Sequence, residues 1–138
     1  MPTFSVAANL TFLYYADLAK AADFYEHILG LTLAVDQGYV KIYQVTPQSF
    51  VGLVDGAHGT HKVSEAKPVI VSFVTNELEQ WYSHLTAHGV TIKLPLQTSD
   101  RIGVRTFMAL DPEGYVLEFE TFLDQPRNQA IRAALALT

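Results

Sequence analysis

Glu118 and Glu120 stand two residues apart in the run Tyr115-Val116-Leu117-Glu118-Phe119-Glu120-Thr121-Phe122, whose aromatic and branched content marks a strand. Strand side chains alternate between faces, so Val116, Glu118, Glu120 and Phe122 share one face, and Tyr115, Leu117, Phe119 and Thr121 the other. Two carboxylates about 7 Å apart along a strand can act as a general base beside a like charge, or anchor a cationic or hydrogen-bond-donating ligand. They can also begin a divalent-metal site. An unpaired carboxylate on an apolar face must find a cation, hold a proton or meet water, and Glu120 raises the pKa of its neighbour Glu118. Lys41 and Arg105, with Lys93 the basic residues that fall in strands, are the candidate cations. With no chemistry at all, the same pattern is an amphipathic strand with two solvated glutamates.

The histidines offer less. His27 and His84 fall in helices beside aromatic residues and read as surface or half-buried side chains. His88 precedes the helix-ending Gly89, where a cation suits the helix C-terminus. His58-x-x-His61 lies in a Gly-rich stretch, a weak metal signal.

The elements that must position the carboxylates read clearly. Asp111-Pro112-Glu113-Gly114 is a type I turn between a strand over 104–110 and the glutamate strand over 115–122. Earlier, Asn9 to Tyr15 is a strand, Asp17 caps a helix that runs to Gly30, and strands follow over 31–35, 39–45 and 49–54. Residues 55–68, rich in Gly and small polar residues, read as a linker or mobile loop. The order then repeats: strand 69–75, a helix with Leu78, Trp81, Tyr82 and Leu85 ending at Gly89, and strands 91–97, 104–110 and 115–122. Phe24-Tyr25-Glu26-His27-Ile28 matches Trp81-Tyr82-Ser83-His84-Leu85, and Gly30-Leu31-Thr32-Leu33 matches Gly89-Val90-Thr91-Ile92.

The expectation is therefore an α+β protein of two βαβββ modules, module one about 9–54 and module two about 69–122, with concave mixed sheets paired around a shared cleft. A helix covers only one face of each sheet, and the other face is left for the partner module or for the cavity. A C-terminal helix over about 124–138 carries an apolar stripe of Ala130, Ile131, Ala134, Leu135 and Leu137 that docks on its own domain, on a second subunit, or frays.

Composition narrows the function classes. Of 138 residues 49% are hydrophobic and 17% charged, an ordinary globular balance. Nine basic against fourteen acidic residues give a net charge of -5 with no basic patch, which argues against nucleic acid. The absence of cysteine removes disulfides, thiolate metal sites and cysteine nucleophiles, and fits a cytoplasmic protein. No apolar run approaches the ~20 residues of a membrane span, and the first residues do not read as a signal peptide.

The two βαβββ copies, the Asp-Leu-x(5)-Phe-Tyr-x(3)-Leu-Gly-Leu run from Asp17 to Leu31, and the closing Asp-Pro-Glu-Gly-Tyr-x-Leu-Glu-Phe resemble the vicinal oxygen chelate superfamily. That group holds glyoxalase I, extradiol dioxygenases, fosfomycin-resistance transferases and bleomycin-resistance proteins. In its metal enzymes the resemblance puts ligands in the first and last strands of the modules, which here fall on Leu10, Ile70 and Glu118, with Gly52 the repeat counterpart of Glu118. Only Glu118 keeps a metal-capable side chain. The resemblance thus implies a cleft lined by Leu10, Phe12, Tyr14, Gly52, Ile70, Glu118 and Glu120, with Lys41 and Arg105 as partners, holding a small organic molecule with no metal or other cofactor. The alternatives are an enzyme with Glu118 as general base, or one with Glu118 in a non-standard Zn, Ni, Mn or Fe site. The resemblance also implies a homodimer.

Overall fold

In the computed structural model, which describes residues 3–138, two successive stretches of chain build two sheets with the same strand order. The first contains β1 (Asn9–Tyr15), α1 (Leu18–Asp23), β2 (Thr32–Asp36), β3 (Val40–Thr46) and β4 (Ser49–Asp55); the second contains β5 (Ile70–Val74), α2 (Leu78–Ala87), β6 (Ile92–Ser99), β7 (Val104–Leu110) and β8 (Val116–Phe122). The orders are β1-β4-β3-β2 and β5-β8-β7-β6. In each sheet the first strand pairs parallel with the last, and the remaining pairs are antiparallel hairpins. The α+β class and the doubled βαβββ order are thus as the internal repeat implies. Among the described residues no helix is long and apolar enough to cross a membrane.

In the first module Asp17 caps α1 by accepting from the Lys20 amide at 3.1 Å. The expected single helix to Gly30 instead widens after Asp23 into a π-helical turn, Phe24–Ile28, with Leu29 N–H on Phe24 O at 3.0 Å. The extra residue per turn lets the adjacent Phe24 and Tyr25 both bury, at 6% and 0% exposure. Tyr25 meets Tyr15, hydroxyl to hydroxyl at 3.1 Å, over a core of Leu13, Tyr43 and Leu53.

In the second module Phe73, Phe119 and Phe107 stand side by side across β5, β8 and β7 with centroids 5.1 and 5.0 Å apart. Trp81 of α2 packs on Phe119 and Tyr82 meets Phe107 edge-on. This aromatic row and the buried Leu78, Leu85 and Leu117 define the helix-covered face. The turn before β8 closes with Gly114 N–H on Asp111 O at 3.1 Å, and the buried Asp111 carboxylate accepts the Glu113 and Tyr115 amides.

Two segments depart from expectation. The 55–68 stretch does not begin as a free linker: Asp55 accepts the Ala57, His58 and Gly59 amides, and Gly59 lies so close to Tyr14 and Val54 that a Cβ there would be 2.5 Å from the Tyr14 ring. Backbone without a side chain can settle on the sheet, and the local turn holds it there. The tail forms a 3-10 turn, Pro126–Asn128, and a shorter helix α3 (Gln129–Leu135) that ends at Ala136. It is fastened to the second module by polar bonds, Asn128 to the Gly103 and Leu123 carbonyls and Arg132 to the Phe122 carbonyl, while no residue of α3 is buried.

Candidate functional site

The face of the second sheet opposite the aromatic row carries the carboxylates. Period-two alternation sets Ile70, Ser72 and Val74 of β5, Glu118 and Glu120 of β8, and Thr106 and Met108 of β7 on this side. Ile70 and Val74 are exposed, the two glutamates half-buried, and Thr106 buried at 5% exposure. Thr106 Oγ1 donates to Glu118 Oε2 at 3.0 Å, and Ser72 Oγ donates to Glu120 Oε2. Glu118 and Glu120 stand two residues apart on the same strand face. Burial pushes the Glu120 carboxyl up to about 7, the neighbouring Glu118 pushes the same way, and the Ser72 hydroxyl opposes them. The carboxyl whose proton is held is therefore Glu120.

The corresponding face of the first sheet is apolar. Leu10 and Phe12 are exposed at 37% and 45%, and Tyr14 and Phe50 pack on the buried Val40, Ile42 and Val54. Gly52 lies under the Phe12 ring, and a Cβ on it would sit 2.5 Å from Phe12 Cδ1.

Lys41 and Arg105 pair with carboxylates other than Glu118 and Glu120. Lys41 shares the parity of Tyr43, whose hydroxyl reaches toward the Ala22 carbonyl of α1 at 3.5 Å, so it lies on the helix side of its sheet and pairs with Asp36 at 2.8 Å. Arg105 shares the parity of Phe107 and pairs with Glu79 of α2 at 2.7 Å. Each is one residue out of phase with the open face of its sheet, and one residue reverses a strand side chain. Sequence reasoning instead missed Ser72 and Thr106. Ser72 is two residues beyond Ile70 and Thr106 one beyond Arg105, so parity alone would have placed both on the carboxylate face.

The residues at the superfamily's metal positions do not fit a metal. Leu10 and Ile70 have no lone pair, Gly52 has no side chain and is covered by a phenyl ring, and Glu118 accepts from Thr106. Among the described residues no three His, Asp or Glu side chains converge as a ligand set. His27 is exposed beside Asp23 at 2.9 Å, His84 and His88 lie ring to ring at 4.4 Å, and His58 and His61 lie against Tyr39 and Tyr14. A depression of about 300 Å³ between the start of β2 and the end of β3, lined by Leu31, Thr32, Gln44 and Thr46 among others, contains no titratable group.

The profile of the Glyoxalase/Bleomycin resistance protein/Dioxygenase superfamily matches residues 7–119. The chain belongs to this superfamily. Solved structures agree on the fold. TioX from Micromonospora sp. ML1 superposes with a TM-score of 0.71 at 21% identity, covering 86% of this chain and 100% of that one. Lactoylglutathione lyase from Agrobacterium tumefaciens gives 0.70 at 19%, covering 87% and 96%. A glyoxalase/bleomycin resistance protein/dioxygenase from Nocardioides gives 0.69 at 20%, covering 90% and 87%. No curated protein matches the chain.

Proposed function

We propose that this chain binds a small organic molecule carrying a cationic or hydrogen-bond-donating group, without a metal, with Glu118 as polar anchor and Glu120 beside it. The observation that carries this reading is the half-buried glutamate pair on an open sheet face next to the exposed apolar Ile70 and Val74. A carboxylate there gains most from a ligand that supplies donors or positive charge. Ile70 and Val74 enter the proposal as apolar contacts. The test is a thermal-shift screen of small amines and amidines against their matched carboxylic acids, with hits titrated by calorimetry into wild type and Glu118→Gln. Hits concentrated among the cations and weakened in the variant support the reading; hits that bind the variant equally well sink it.

The raised Glu120 carboxyl favours one second reading, in which Glu118 acts as general base on a carbon acid while Glu120 holds a proton near neutrality. It requires that a bound hit lose a C–H signal to exchange in D₂O, at a rate that collapses in Glu118→Gln. Retention of the signal by the wild type removes it. We also infer a cytoplasmic homodimer, from the cysteine-free sequence and from α3, whose Leu135 is 48% exposed. A monomeric mass by sedimentation equilibrium refutes the dimer, and localisation of a tagged chain outside the cytoplasm refutes the compartment.

A further inference from the structure

In the second sheet neither hydroxyl bonds the glutamate it stands beside. Ser72 is the register partner of Glu118, and Thr106 that of Glu120. Ser72 Oγ nevertheless donates to Glu120 Oε2, and Thr106 Oγ1 to Glu118 Oε2 at 3.0 Å. Both bonds are diagonals across the strand gap, a reach that long side chains on a twisted sheet can make. The consequence lies in their directions. Ser72 draws the Glu120 carboxyl back toward the level of residue 118, and Thr106 draws the Glu118 carboxyl forward toward the level of residue 120. The crossed pull draws the two carboxyl groups toward each other. Thr106 is also fixed in place: it is buried at 5% exposure, and the alternative acceptor for its proton, the Phe107 carbonyl at 3.4 Å, is the longer and weaker one.

We propose that Thr106 and Ser72 are positioning residues, which lock the side chains of Glu118 and Glu120 so that a ligand meets a preset pair of carboxyl groups. The proposal rests on the binding reading above. It assigns no contact with the ligand to either hydroxyl; each acts through the glutamate it holds. Preset acceptors save the ligand the cost of ordering them, which is where the affinity arises.

The test uses benzamidine, a planar organic cation, titrated by calorimetry into the full-length wild type and into Thr106→Val, Thr106→Ser, Ser72→Ala and Glu118→Gln. Valine keeps the buried shape of threonine without the donor, and serine keeps the donor. Thr106→Val and Glu118→Gln should each weaken binding about tenfold, the loss of one bond to a charged group, and Thr106→Ser should restore it to within about twofold. Ser72→Ala should weaken it in the same sense. In parallel, the carboxyl ¹³C resonances of Glu118 and Glu120 are followed without ligand and should move in Thr106→Val but not in Thr106→Ser. Binding lost in Glu118→Gln yet unchanged in Thr106→Val overturns the positioning role and leaves the binding reading standing. No binding to the wild type, or equal binding to Glu118→Gln, overturns the binding reading; the resonances then decide positioning alone, and if they stay put in Thr106→Val it is overturned too.

Discussion

The ring of Phe12 occupies the space that a side chain at Gly52 would need, with Cδ1 only 2.5 Å from where a Cβ would stand. Gly52 is buried in β4 and Phe12 is its register partner on β1, so the contact is a cross-strand pair with one member reduced to backbone. Gly52→Val should cost about 1–3 kcal/mol by overpacking. In a Phe12→Ala background much of that cost should vanish, a coupling of about 0.5–3 kcal/mol in a double-mutant cycle read by urea denaturation. Additive costs would mean that the ring leaves at no expense and does not depend on the glycine.

Glu120 makes stability depend on pH. Its ordinary value is 4.5, and in the folded protein it stands at about 7. Below pH about 4.5 both states hold the proton and folding carries no penalty; between 4.5 and 7 the unfolded chain ionises first, so stability falls with rising pH until the folded value is passed. The group is partly exposed, so the loss should be on the order of 1 kcal/mol. Glutamine carries no charge and can accept from Ser72 as the protonated acid does. Glu120→Gln should therefore remove this part of the slope in urea midpoints measured from pH 4 to about pH 8; identical slopes in the two proteins would show that Glu120 is not the group responsible.

Arg105 belongs to α2 through Glu79, not to the carboxylate face. Arg105→Met should leave benzamidine affinity unchanged and cost little stability, because an ion pair open to water contributes little. A drop in affinity comparable to that of Glu118→Gln would return Arg105 to the site.

Protein purified without chelator should hold no near-stoichiometric metal, and EDTA should not lower its Tm. The measurement is elemental analysis after incubation with Zn²⁺, Ni²⁺, Mn²⁺ and anaerobic Fe²⁺, with Glu118→Ala as control. Stoichiometric metal that disappears in Glu118→Ala would show that the donor set around Glu118 is larger than its neighbours Thr106 and Glu120 imply.

Much of this architecture is legible in the residues, because it follows from local periods. The paired motifs at Phe24-Tyr25 and Trp81-Tyr82 announce two like modules, the Asp111 turn fixes the hairpin into β8, and alternation puts Glu118 and Glu120 on one face. What eluded the sequence depends on geometry between strands. Lys41 and Arg105 looked like partners because they are basic and lie in strands; only the pairing of Arg105 with Thr121, and of Lys41 with Leu53, shows that both belong to helix-covered faces. The diagonal bonds of Ser72 and Thr106 depend on sheet twist and rotamer, which no spacing encodes. The π-helical turn at Phe24–Ile28 is invisible to a search for helical period, since it breaks that period to bury two neighbouring aromatics.

The parallel pairing of each module's first strand with its last governs the order in which the chain can fold. Asn9 finds its partner only when Ser49 is available, and Ile70 only when Val116 is, so neither sheet can be completed by growing outward from a hairpin. On a ribosome the first sheet can close once β4 has emerged, while β5 waits with both edges unpaired until β8, the last strand of the second module, has been made. Long-range parallel closure of this kind is slow, and an unpaired apolar strand invites wrong partners. With the exposed apolar Ile70 and Val74 on it, β5 is open to misassembly during synthesis.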